Sequence, residues 1–133
     1  MTRTTARDAA NGETLAAVSN LVVGTYADHM GRGPTKAHTY MTEGIVVCLM
    51  EDTMTKAERM LIASGHQATV LETRAMFQET MREGLIAGVE AQIGRRVRAC
   101  IGGNCLWPDL ASELFIVDGA AAASPPGDGA ADM

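Results

Sequence analysis

The chain has 133 residues, 47% of them apolar and 4% aromatic, with a formal charge of −5 and a pI near 5.1. That length suits one compact domain, and the acidic balance excludes a dominant grip on nucleic-acid phosphates or simple adsorption to an anionic membrane surface. No apolar run approaches the ~18 residues of a membrane-spanning helix, and the arginines of the first twelve residues have no hydrophobic block behind them, so no secretory signal and a cytoplasmic location are expected.

Residues 1–11 are polar and rich in Thr, Ala and Arg, and are expected to be flexible. The first helix is predicted over 12–30, where Leu15, Val18, Leu21, Val22, Tyr26 and Met30 recur at three- and four-residue spacing and make one apolar face. Gly31 supplies the stop and Pro34 forbids continuation. Residues 35–41 read as a strand, Thr42-Glu43-Gly44 as a turn, and 45–50 (Ile-Val-Val-Cys-Leu-Met) as a strand buried on both faces or nearly so.

Thr55-Lys56-Ala57-Glu58 is a capping box: the Thr hydroxyl takes the amide of the third helical residue while Glu58 reaches back to the Thr55 amide. The short helix it opens ends at Ser64-Gly65. A longer helix is predicted over 66–93, with Val70, Phe77, Met81, Leu85, Val89 and Ile93 inward and Arg74, Glu79, Arg82, Glu83 and Glu90 available to water. Gly94 closes it. Residues 95–102 alternate, which predicts a half-buried strand with Val97, Ala99 and Ile101 on one side and Arg96, Arg98 and Cys100 on the other. Gly102-Gly103-Asn104 is expected to turn the chain, a loop through Trp107-Pro108-Asp109 to follow, and 112–117 to form the last strand. From Gly119 the composition of Ala, Gly, Ser, Pro and Asp cannot bury enough apolar area to offset its ordering entropy, so 119–133 are expected to be a disordered tail. The fold expected is α+β, in the order α-β-β-α-α-β-β, with two hairpins in one antiparallel four-stranded sheet and helices on one face, as a single domain over 12–118.

Four segments in this order carry a resemblance. Gly31-Arg32-Gly33-Pro34-Thr35-Lys36, then Met54-Thr55-Lys56-Ala57-Glu58-Arg59-Met60-Leu61, then Ile93-Gly94-Arg95-Arg96-Val97, and a closing Leu114-Phe115-Ile116-Val117 are similar to the pattern of the MpsC-like family over roughly residues 14–118. The chain departs from that pattern at Lys56, where Pro is common, and at Gly84 and Gly88. The family's name refers to a sodium-translocating, membrane-potential-generating system in a bicarbonate-uptake context. The resemblance therefore implies an accessory role beside ion transport, exerted by binding a protein partner such as a membrane transport subunit. A chain without a spanning segment cannot itself carry an ion through a bilayer.

The residues offer little chemistry beyond that. Gly31, Arg32, Gly33 and Lys36 could hold a small anion such as bicarbonate or phosphate, which makes an anion sensor the alternative function. Phosphate loops, however, lie between a strand and a helix start, whereas these glycines follow a helix, so a helix stop is the favoured reading. Arg95, Arg96 and Arg98 are the sole basis for a nucleic-acid regulator. His29, His38 and His66 lack metal-ligand spacing. Cys100 and Cys105 are expected to straddle a hairpin tip, but zinc wants about four ligands and no second pair exists, so no metal or cofactor is expected. Cys48 sits in an apolar strand, where a thiolate is disfavoured. Glu79 and Glu83 beside Arg82 read as a solvated face. No catalytic set is found and no enzyme activity is expected. Gly84 and Gly88 share a helix face and suggest close packing, either on the sheet or in a homo-oligomer. Trp107, outside the periodic segments, reads equally as a cap on the core and as an exposed interface anchor.

Overall fold

The computed structural model describes residues 6–118. Seven elements follow one another: α1 (Ala6–Met30), β1 (Lys36–Thr42), β2 (Ile45–Glu51), α2 (Lys56–Ala63), α3 (Gln67–Ile93), β3 (Val97–Cys105) and β4 (Leu110–Val117). The first helix thus begins at Ala6, inside the stretch expected to be flexible; residues 1–5 and the tail over 119–133 lie outside the described residues.

The strands form one antiparallel sheet in the order β1-β2-β4-β3, two hairpins joined along their inner strands. The α+β architecture and element order agree with the sequence. Val18, Val22 and Tyr26 of α1 and Met81, Leu85 and Val89 of α3 pack on Val46, Cys48, Met50 and Phe115 of the inner strands. Gly31, at φ +83, ends α1 by donating its amide to Ala27 O at 3.0 Å.

Three local readings change. β2 is buried on one side only: Val46, Cys48 and Met50 are inside, while Leu49 is exposed and Ile45 and Val47 are half-buried. In β3, a bulge between Val97 and Ala99 inserts one extra residue, and this shifts the alternation. Beyond it Cys100 faces the core, and Ile101, expected inside, is 56% exposed. Finally, Gly102, Gly103 and Asn104 do not turn. They pair with Glu113, Ser112 and Ala111, so β3 runs on to Cys105, the turn falls at 106–109, and β4 begins at Leu110 instead of Ser112.

α3 crosses α1 at Gly88. A Cβ there would stand 2.6 Å from Leu21 Cδ2, so the glycine admits a close contact with α1, where packing on the sheet was one of the two readings. A Cβ on Gly84 would meet nothing within 4 Å. Gly84→Ala should therefore gain up to ~1 kcal/mol of stability from helix propensity. Gly88→Val should lose about 1–3 kcal/mol through overpacking. Urea unfolding of the two variants checks the contrast, and equal effects would refute this assignment of the crossing.

Candidate functional site

Two features stand out beneath and beside the sheet: a buried polar network, and a groove at one end of it. The network begins with the capping box. Glu58 N donates to Thr55 Oγ1 at 3.1 Å, and Thr55 N donates to Glu58 Oε1 at 2.8 Å, as the sequence predicts. The same carboxylate is gripped by Arg74, whose Nε donates to Oε2 and Nη2 to Oε1, both at 2.9 Å. Arg74 was expected to face water but is 2% exposed. It also donates to Thr53 O at 2.9 Å and to Asn104 Oδ1 at 3.2 Å, so its fork joins α3 to α2, to the β2–α2 junction and to β3. Burial would raise the Glu58 pKa, but hydrogen bonds from Arg74 and Thr55 outweigh it and hold the carboxyl below its usual 4.5.

From Asn104 the network continues inward. Asn104 Nδ2 donates to Gln78 Oε1 at 2.9 Å, Gln78 Nε2 to Tyr26 Oη at 3.0 Å, and Tyr26 Oη to Glu113 Oε2 at 2.6 Å. Cys100 Sγ donates to Glu113 Oε1 at 3.4 Å. The Gln78 amide lies where a Cβ on Gly102 would be, 2.9 Å from Gln78 Cδ, which explains a glycine inside a strand at this point. Glu113 is 1% exposed and no cation bonds to it among the described residues. Burial raises its pKa, against the hydrogen bonds it accepts from Tyr26 and Cys100. Burial and the Glu113 charge in turn push the Cys100 thiol up to about 12 and the Tyr26 phenol above its usual range. A thiol and a phenol so poised are poor nucleophiles. The network ties α1, α2 and α3 to β3 and β4.

The groove has a volume of about 640 Å³. Its apolar wall comes from Met54, Ile62, Leu106, Trp107, Pro108 and Leu110, with Lys36, Glu51 and Arg59 at the rim. The turn carrying Trp107 is held firmly. Asp109 accepts from Thr53 N at 3.0 Å, Thr53 Oγ1 at 2.8 Å and Met54 N at 3.1 Å, which pins the β3–β4 turn to the β2–α2 junction. The opposite wall turns at Asp52, which adopts φ +59 and is held there by Arg32 and Thr35. Those bonds, Arg32 foremost, lower the Asp52 pKa below its usual 3.8. Trp107 itself is 90% exposed on this fixed turn.

The other residues singled out in the sequence fall as follows. Arg32 does not face outward with Lys36. Its guanidinium is bonded to Asp52 Oδ2 at 2.9 Å, Asp52 O at 2.7 Å and Met54 O at 3.1 Å, so it closes the β2–α2 corner. Gly33 lies against α1, with Val23 O 3.1 Å from a notional Cβ, and Lys36 lines the groove. Nothing in this corner gathers Gly31, Arg32, Gly33 and Lys36 around an anion. Arg95 and Arg98 both turn to Asp118. Glu79 pairs with Arg82 at 2.6 Å on an exposed helix face. Cys100 and Cys105 lie on one strand five residues apart, roughly 17 Å at strand rise, with Cys100 buried and Cys105 exposed. They do not approach each other, and no metal-holding cluster occurs among the described residues. Sequence reasoning missed Arg74, Gln78, Asn104 and Glu113. The one signal that could have found Glu113 is an acidic residue at an inward position of an alternating apolar strand.

A family model described as "Na+-translocating membrane potential-generating system (MpsC)" matches residues 10–118. Comparison with curated proteins and with solved structures returned no match.

Proposed function

The chain belongs to the MpsC family, and from that premise we propose that it is a non-catalytic accessory domain of a Na+-translocating, membrane-potential-generating system. It acts by binding a protein partner at the cytoplasmic side. The observation that carries this reading is Trp107, almost fully exposed on a turn that the Asp109 bonds immobilise beside an apolar groove. A large, rigid aromatic loses little conformational freedom on docking and is enriched among residues that dominate binding energy. Among the described residues no helix is long and apolar enough to cross a membrane. In this reading the ion path belongs to the partner.

The buried network supports the same role in a different way. Its donors and acceptors are used internally, and through Arg74 to Thr53 O it stiffens the β2–α2 junction that bears Met54 of the groove wall. Crosslinked co-purification from native cells tests the proposal. A polytopic transport subunit should be recovered with the tagged chain and lost with Trp107→Ala, whose circular dichroism and melting should match the parent. Absence of any such subunit from the wild-type sample would overturn it.

A further inference from the structure

The sheet has a second face. Across the strands, the outward residues form rows by register. A charged row, Lys36, Glu51, Leu110 and Cys105, borders the groove, and three rows follow it: His38, Leu49, Ser112 and Gly103; then Tyr40, Val47, Leu114 and Ile101; then Thr42, Ile45, Ile116 and Ala99. None of these belongs to the core cluster or packs against it, because α1 and α3 cover the other side of the sheet. Tyr40 is 52% exposed, and Leu49 and Ile101 are exposed as well. The inner strands β2 and β4 are therefore apolar on both sides while covered on one. Strands of that composition are the kind found with both faces covered.

We infer that this open face is a homodimer interface, with two copies of the chain packed sheet against sheet about a twofold axis. Three observations select a second copy as the occupant. First, shape: the face is a four-stranded twisted sheet, and a sheet of the same twist stacks on it at about 10 Å with strands near −30°. Second, charge: the three rows contain no Asp, Glu, Lys or Arg, so two copies of an acidic chain meet here without opposing charges. The same neutrality removes the cations that an anionic lipid surface would require. Third, size: the three rows span about five residues on each of four strands, on the order of 700 Å² over two copies, which suits a weak, concentration-dependent association. An isologous contact needs one self-complementary patch, and an uncharged face centred on Tyr40, Val47, Leu114 and Ile101 is one. The groove with Trp107 takes Lys36, Glu51 and Leu110 from the charged row of this face, and the dimer contact inferred here uses the other three rows.

Analytical ultracentrifugation of the full chain across a wide concentration range is the test. Leu49→Lys on the inner strand β2 and Ile101→Lys on the edge strand β3 both place a charge at an already exposed site, so the fold should survive; circular dichroism verifies this. The wild type should sediment as a dimer at low salt and at high salt alike, since the contact is apolar. Each lysine should weaken association about a hundredfold, while Gln92→Lys on α3 leaves it unchanged. A wild type that is monomeric throughout would overturn the inference. So would a dimer indifferent to Leu49→Lys, because that result would place the contact on a strand edge or on the helices.

Discussion

Arg74→Met is expected to destabilise the protein by about 3–5 kcal/mol, the range found when one member of a buried ion pair is removed. The side chain is 2% exposed and its partner Glu58 is 12% exposed, so solvent screens this pair little. Loss of the fork leaves Glu58, Thr53 O and Asn104 Oδ1 short of donors at once. Glu58 would still cap α2 through Thr55, but its second set of bonds would have no donor. Arg74→Lys should recover only a fraction, since an ammonium cannot place planar donors on Glu58, Thr53 and Asn104 together. Urea unfolding of both variants measures this. An Arg74→Met cost below about 1 kcal/mol would mean that the pair behaves as a surface bridge.

Glu113 should give stability a pH dependence of unusual sign. Its folded-state pKa is raised by burial above the ordinary 4.5, so the folded chain holds this proton more tightly than the unfolded one. The stabilisation is complete below the ordinary value and is lost as pH rises through the folded one. Glu58 and Asp52 act the other way, since both are lowered; what they contribute is present above their ordinary values of 4.5 and 3.8 and is lost as pH falls. Comparison of wild type with Glu113→Gln isolates the glutamate. The difference in unfolding free energy should move in favour of the Gln variant as pH rises above about 5, with a slope of at most ~1.4 kcal/mol per pH unit for one proton. A difference that is flat from about pH 5 to pH 8 would show that Glu113 titrates alike in both states.

The parts of this fold set by local chemistry were legible. The Thr55–Glu58 box, the Gly31 and Gly94 stops and the 3.6-residue period of α1 and α3 involve residues within one or two turns of each other. What was not legible depends on distant partners. An arginine on a helix reads as solvated until α2, the β2–α2 junction and β3 surround it with four acceptor bonds, as they do Arg74. Gly102-Gly103-Asn104 reads as a turn because glycine and asparagine favour turns. Here the first glycine instead makes room for Gln78 from α3. One bulged residue after Val97 exchanged the inward and outward sets of β3, and a period of two has no means of signalling that. Of the candidate site, Trp107 was legible only as an isolated aromatic, equally a cap on the core or an exposed anchor, and its 90% exposure removes the first. The rigidity of its turn was not legible, since that rests on Asp109 reaching Thr53 and Met54 across the sheet end.

The strand order also carries a kinetic consequence. Each hairpin closes over a short loop, and α2 and α3 form between the two hairpins in the chain. The seam β2–β4, by contrast, joins Ile45 to Ile116 across more than half the length of the domain. Loop-closure entropy must be met before that seam rewards it, so it is expected to zip late. Until then β2 and β4 each present a free backbone edge flanked by apolar side chains on both sides. A nascent chain in that condition has as much to gain from a neighbouring copy's strand as from its own. Crowded synthesis, more than heat, is therefore the circumstance in which this molecule is most exposed to misassembly.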